Sequence, residues 1–283
     1  MGVESVMSER RPLSSASPLL YRLSVSMRRT LRRMKWYLGS EDYALARSSE
    51  PLPEPVVEHR SILMRKLQGT DQELQRNKVS SLKVAAEAID GVLIKPGQTF
   101  SFWRLVGNPK PSRGFLPGLQ LSFGSMVAMT GGGLCQFSNL LHWMVLHTPM
   151  EVTERHRHSY DPFPDYRRTV PFGTGATVFY NYLDFMFRND TQRTFQLRAR
   201  VDTDHLRGEI RSDSPLEGLY SVEERGHRFV RMGDKVFREN RLWRIVTDTE
   251  TSRVLREDLL MENHAEVRYD VTGIPGIEVE EGG

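Results

Sequence analysis

The chain has 283 residues, 39% of them apolar and 27% charged, with a formal net charge of +3. That length suits one large domain, or a main domain with a smaller appendage. The apolar share suffices for a sizeable core, and the near-balanced charge excludes a uniformly polycationic chain. The single cysteine excludes an internal disulfide. No signal peptide is recognisable, and no stretch approaches the ~20 apolar residues of a membrane-spanning helix. These features imply a cytoplasmic protein, with room for membrane association.

Residues 1–17 are polar and Ser/Pro-rich, the composition of a disordered tail. Residues 18–38 can form a basic amphipathic helix, on which Arg29, Arg32 and Arg33 share one face. Such a helix either packs on the domain or lies at a membrane surface with Trp36 and Tyr37 at headgroup level. Residues 48–57 look like an extended Pro-flanked linker.

Residues 58–90 read as helix, with Asn77 a candidate cap and Val79, Leu82, Ala85, Ala86 and Ile89 at helical spacing. Asp90-Gly91 ends it. Strands are expected at Val92–Ile94 and Thr99–Trp103 around a Lys95–Gln98 turn, followed by an exposed loop over 107–118. A hairpin follows around Gly124-Ser125. Gly131-Gly132-Gly133-Leu134-Cys135 opens an apolar-periodic helix that Thr148-Pro149 ends.

Glu151–His158 alternates like a strand, and 160–176 is a connection. Further strands are expected at Thr177–Tyr180, Leu183–Phe187 and Thr194–Val201. After about residue 206 come short strands with turns at 224–226, 232–234 and 247–251. The fold class is α+β: a mixed or antiparallel sheet, a few helices and a small β-rich C-terminal extension. The divisions are 1–57 (basic tail, helix and linker), 58–204 (core domain) and 205–283 (extension).

The chemistry concentrates at Cys135. Three glycines before a helix make a tight turn whose amides can hold an anion or oxyanion. A thiol at a helix start is expected to titrate below its free value of ~8.5. His156 and His158 follow on a strand and point to the same face. His142 lies about two helical turns away, too far to touch the thiol. Asp161, Asp165 and Asp184 are candidate orienting carboxylates, of which Asp184 stands out because it interrupts an apolar strand. The bland alternative is a small buried cysteine. A zinc set of Cys135, His156 and His158 lacks supporting ligand spacing, so no metal and no cofactor is assigned. Basic and aromatic residues do not interleave as in a nucleic-acid binder.

Several runs together carry a family resemblance. They are Asn77-Lys78-Val79, Ile94-Lys95-Pro96-Gly97-Gln98-Thr99-Phe100-Ser101-Phe102-Trp103, and Gly131-Gly132-Gly133-Leu134-Cys135-Gln136-Phe137-Ser138-Asn139. Leu146-His147-Thr148-Pro149, Glu154-Arg155, His158 and Asp184 with Arg188–Thr191 extend it. Over about residues 70–200 the chain resembles the VanW family. The resemblance implies a link to glycopeptide resistance or the cell envelope, and it favours His158 over His156.

Two functions follow as expectations. In the first, a Cys-His hydrolase or acyltransferase acts on a peptide-like substrate. Cys135 is the nucleophile, His158 the base and Asp184 the orienting group; Gly131, Gly132, Gly133, Gln136 and Asn139 bind substrate or oxyanion. In the second, a non-catalytic protein holds an anion or a peptidoglycan precursor on the glycine turn.

Overall fold

The computed structural model describes residues 3–7, 17–64, 72–122, 125–158, 160–161, 164, 169–180 and 182–279. In chain order the first half comprises β1 (Val3–Met7), α1 (Pro18–Leu38), β2 (Glu54–Ile62), α2 (Gln72–Ile89), β3 (Leu93–Ile94), β4 (Thr99–Ser101), α3 (Phe102–Val106), β5 (Pro117–Ser122), β6 (Ser125–Thr130) and α4 (Cys135–Leu146). The second half is all strand: β7 (Glu151–His158), β8 (Tyr160–Asp161), β9 (Met186–Arg188), β10 (Phe195–Val201), β11 (His205–Ser212), β12 (Leu219–Met232), β13 (Lys235–Thr247), β14 (Val254–Val267) and β15 (Glu278–Val279). The fold is α+β.

The strands form three sheets and a hairpin. Their orders are β1-β7-β9-β4, β2-β11-β10-β3 and β15-β12-β13-β14-β8, with β5-β6 as the hairpin. All pairings are antiparallel except β1–β7, β12–β15 and β14–β8. Helix α2 packs on β10 through Leu82, Ala85, Ala86 and Ile89, which recur at helical spacing and are fully or almost fully buried. Helix α4 packs on β2 and β11. Its Phe137, Leu140, Leu141, Met144 and Val145 are buried, each worth roughly 1.5–3 kcal/mol.

Several elements differ from the sequence reading. Residues 58–90 are not one helix, because β2 runs to Ile62 and pairs antiparallel with β11 from His205↔Ile62 to Ser212↔Glu54. Over 57–62 exposure alternates with the two-residue period of a strand. That sheet runs across both residue 57 and residue 204. Asn77 lies inside α2 and caps nothing. Within the 1–17 tail, Val3–Met7 pairs parallel with β7 from Glu154 to His158, while residues 8–16 lie outside the described residues. The expected turn at 224–226 is a bulge in a continuous β12, where the register shifts between Arg225 and Arg228 and Gly226 takes φ +64°. Trp36 is buried in the core, so only Tyr37 of the pair faces outward.

The C-terminal sheet is fastened to the end of α4. Leu146 packs with Leu242 and Met261, and Arg244 Nη1 donates to the Thr148 carbonyl at 2.8 Å.

The approach of the β5 backbone to the glycine turn is the tightest constraint on the site. A Cβ on Gly132 would fall 2.0 Å from the Gly118 carbonyl oxygen. Gly132→Ala is therefore expected to cost about 3 kcal/mol or more, because backbone must move. Gly97→Ala, with φ +78° but nothing within 4 Å, is expected to cost only about 1–2 kcal/mol. Urea midpoints of the two variants test the contrast.

Candidate functional site

Helix α4 starts at Cys135, directly after the glycine turn. The turn is braced from inside: Gly131 N–H donates to the Leu116 carbonyl, Gly132 to Met129, and Gln136 back to Gly133. Among the described residues the amides of Gly133 and Leu134 donate to no backbone acceptor. Gly131 and Gly133 take φ +77° and +90°, conformations that turn the chain sharply into the helix.

Beside this turn is a cavity of about 320 Å³. Gly131, Gly133, Leu134 and Cys135 form one wall, and Trp103, Tyr180 and Arg29 stand among the others. Trp103 and Tyr180 meet edge to face, with ring centroids 5.4 Å apart. The Arg29 guanidinium lies 5.1 Å from the Tyr180 ring centroid. Its buried Nε meets no acceptor, and among the described residues no carboxylate pairs with it.

The Cys135 thiol donates to the Val178 carbonyl at 3.7 Å. Burial pushes it above its ordinary value. The lowered value expected from the helix start is therefore not found, because desolvation outweighs the helix-end field here. His158 Nε2 lies 3.3 Å from Thr177 Oγ1, and burial lowers its pKa. Cys135 and His158 thus contact neighbouring residues, Val178 and Thr177, of one strap (residues 174–178), and share no hydrogen bond. His142 is buried with Nδ1 2.8 Å from the Thr174 carbonyl.

Asp184 is buried with partners of its own. Its carboxylate accepts from Ser101 Oγ at 2.5 Å and from the amides of Trp103 at 3.1 Å and Phe185 at 2.9 Å. It fastens the start of α3 and makes no hydrogen bond to His158. Asp161 accepts from Arg238 Nη1 and Tyr269 Oη, each at 3.2 Å; Asp165 lies outside the described residues. Gln136 donates to Ser61 Oγ and the Ile62 carbonyl at 2.9 and 2.8 Å, tying α4 to β2. Asn139 Oδ1 accepts the Ala176 amide at 2.6 Å and holds the strap against α4.

A buried charge cluster supports the site from behind. Glu154 accepts from Arg32 through both oxygens, at 2.7 and 2.5 Å. It also takes His156 Nε2 at 2.9 Å and the Asp184 amide at 3.1 Å. A carboxylate only accepts, so Nε2 is the protonated nitrogen of His156. His156 and His158 therefore have separate partners, and no group of three or more His, Cys, Asp or Glu among the described residues could hold a metal ion.

The sequence reading did not single out Arg29, Trp103 or Tyr180 as site residues. Arg29 and Arg32 were visible as part of a basic helical face. Both turn inward, whereas Arg33 is exposed.

Fold and site together define an α+β protein with a cavity at a Gly-Gly-Gly helix start. The family described as "VanW like protein" matches residues 77–211. The chain is 32% identical over 264 residues to the vancomycin B-type resistance protein VanW of Enterococcus faecalis, covering 92% of this chain and 94% of that protein. It is 28% identical over 128 residues to the uncharacterized protein YoaR of Bacillus subtilis, covering 44% of this chain and 40% of that one. No solved structure matches it. The chain belongs to the VanW family.

Two expectations follow from the electrostatics. First, the Cys135 thiol should react with iodoacetamide only slowly at neutral pH and titrate above ~8.5, and His158→Ala should leave that profile in place. Alkylation rates across pH check this.

Second, the two buried carboxylates should give opposite stability slopes. Burial raises Glu154, but the hydrogen bonds from His156 and Arg32 overcome it and hold the group at about 2 instead of 4.5. Its contribution is complete above 4.5 and is lost as pH falls toward 2. Burial raises Asp184 from 3.8 to about 6, against the Ser101 hydrogen bond. Its contribution is complete below 3.8 and is lost as pH rises through 6. Glu154→Gln should flatten the acid limb of the stability profile, and Asp184→Asn should remove the decline between about 4 and 6. Urea midpoints against pH read both.

Proposed function

We propose that the cavity beside Cys135 binds the carboxylate of a small peptide-like ligand. On this reading the chain acts in glycopeptide resistance or cell-envelope metabolism as a binding protein. Arg29 carries the proposal. It is a cation at a cavity wall with no acidic partner among the described residues. Burying a cation unpaired is costly, so the arrangement suits an anion brought by the ligand. Gly133 and Leu134 line the same cavity, and their amides are further donors for the carboxylate. Trp103 and Tyr180 offer apolar surface to the rest of the molecule, and about 320 Å³ matches a ligand of dipeptide size. Membership of the VanW family, with a relative named for vancomycin resistance, supplies the biological context.

The competing reading is a hydrolase or acyltransferase with Cys135 as nucleophile, His158 as base and Asp184 as orienting group. What favours it is that Cys135 lines the same cavity. It requires the thiol to leave the Val178 carbonyl, lose its proton despite burial and meet His158, which now faces Thr177.

Calorimetry with an N-acetylated dipeptide bearing a free C-terminal carboxylate, against the same dipeptide as its C-terminal amide, separates the readings. The acid is expected to bind and the amide to fail. Arg29→Gln should weaken binding by about tenfold to a hundredfold, while Cys135→Ala retains it. Equal binding of acid and amide would sink the carboxylate reading. Cleavage of the dipeptide that Cys135→Ala abolishes would replace binding with catalysis.

A further inference from the structure

Helix α1 shows the core one face and presents an apolar face outward. At 100° per residue, Trp36, Arg29, Arg32 and Val25 cluster on the inner side. Leu20, Leu23, Met27, Leu31, Met34 and Leu38 fall within an arc of about 80° on the opposite side. Each of these six is at least 49% exposed. Exposed Arg22 and Arg33 flank this stripe on one edge, and exposed Arg28 and Lys35 flank it on the other. The helix spans 21 residues, and its sequence contains no Asp or Glu.

We infer that α1 docks in the plane of an anionic lipid surface, its outer stripe in the acyl boundary and its flanking cations among the headgroups. An apolar stripe edged by cations on both sides is the arrangement that such an interface stabilises, because long basic side chains reach up to the headgroups while the stripe stays buried. Charge selects this occupant over the others. A second copy of the helix would bring its arginines against like charges with no carboxylate of its own to pair them. A nucleic acid would leave six apolar side chains against phosphate.

The helix lies on the surface and does not cross. No helix among the described residues is long and apolar enough to span a bilayer, and α1 carries Arg22, Arg28, Arg29, Arg32, Arg33 and Lys35. Arg29 on the inner face lines the cavity. Docking therefore sets that cavity within about one helix diameter, ~10 Å, of the headgroups. The inference stands on α1 alone and does not depend on what the cavity holds.

The test is co-sedimentation of the full chain with vesicles of phosphatidylcholine containing phosphatidylglycerol, against vesicles of phosphatidylcholine alone. Partition is expected onto the anionic vesicles and should weaken with salt. The double variant Met27→Gln/Leu31→Gln should lose about tenfold or more per site. Arg22→Gln/Arg33→Gln should lose about fivefold per charge. Both pairs are outward-facing, so thermal midpoints should match the wild type. If the apolar double variant proves unstable, the charge variant alone decides. No partition, or partition unchanged by the charge variant, overturns the inference. So does a concentration-dependent dimer that Met27→Gln/Leu31→Gln dissolves.

Discussion

Glu154 is the point on which the arrangement of α1, β7 and the Asp184 segment depends. Its carboxylate receives Arg32 from α1, His156 from its own strand and the Asp184 amide. The Asp184 carboxylate in turn receives Ser101 Oγ and the Trp103 amide, where β4 passes into α3. A buried ion pair of this kind is weak as a source of net stability, but removing one partner strands a charge and costs on the order of 3–5 kcal/mol. Its effect is on geometry. Arg32 fixes the rotation of α1, which decides that Arg29 reaches the cavity and that the Leu20–Leu38 stripe turns away from the protein.

Competing effects of different size decide the state of the cysteine. A helix start favours a thiolate by at most about 1–2 kcal/mol, and loss of solvent around a thiol opposes it. At Cys135 the second effect wins, and the thiol bonds to the Val178 carbonyl. The glycine turn has a separate reason to exist. Gly118 and Gly132 bring two backbones together more closely than any Cβ permits, and that contact positions the β5–β6 hairpin over the helix start. Substituting Gly132 therefore perturbs packing before it can report on any ligand.

The C-terminal sheet braces the same region from the far end of α4. Arg155 on β7 donates to the Gly175 carbonyl at 2.9 Å and to that of Gly173, and its Nη1 reaches Met261 Sδ on β14 at 3.2 Å. The strap that carries Thr177 and Val178 is thus held between α4, through Asn139, and the β7–β14 side of the molecule. Two adjacent residues of this strap contact the thiol and His158 without joining them.

Patterns local in the chain were legible from sequence alone: the amphipathic α1, the apolar periodicity of α2 and α4, the hairpin after residue 116, the β-rich C-terminal part, and the Gly-Gly-Gly-Leu-Cys helix start. Each depends on neighbours within a few residues, where hydrogen-bond geometry and side-chain period act directly. The family could be read from motifs such as Ile94–Trp103 and Gly131–Asn139, which are long and specific. Three outcomes belonged to the tertiary structure. Residues 54–62 became a strand because β11, about 150 residues later, offers its edge. Asp184, which looked like a catalytic carboxylate interrupting an apolar strand, was drawn to the backbone of α3 because buried amides and Ser101 needed an acceptor there. Arg29 and Arg33 look alike in sequence, yet one lines a cavity and the other faces solvent, because Arg32 meets Glu154 on β7 and so orients the helix between them.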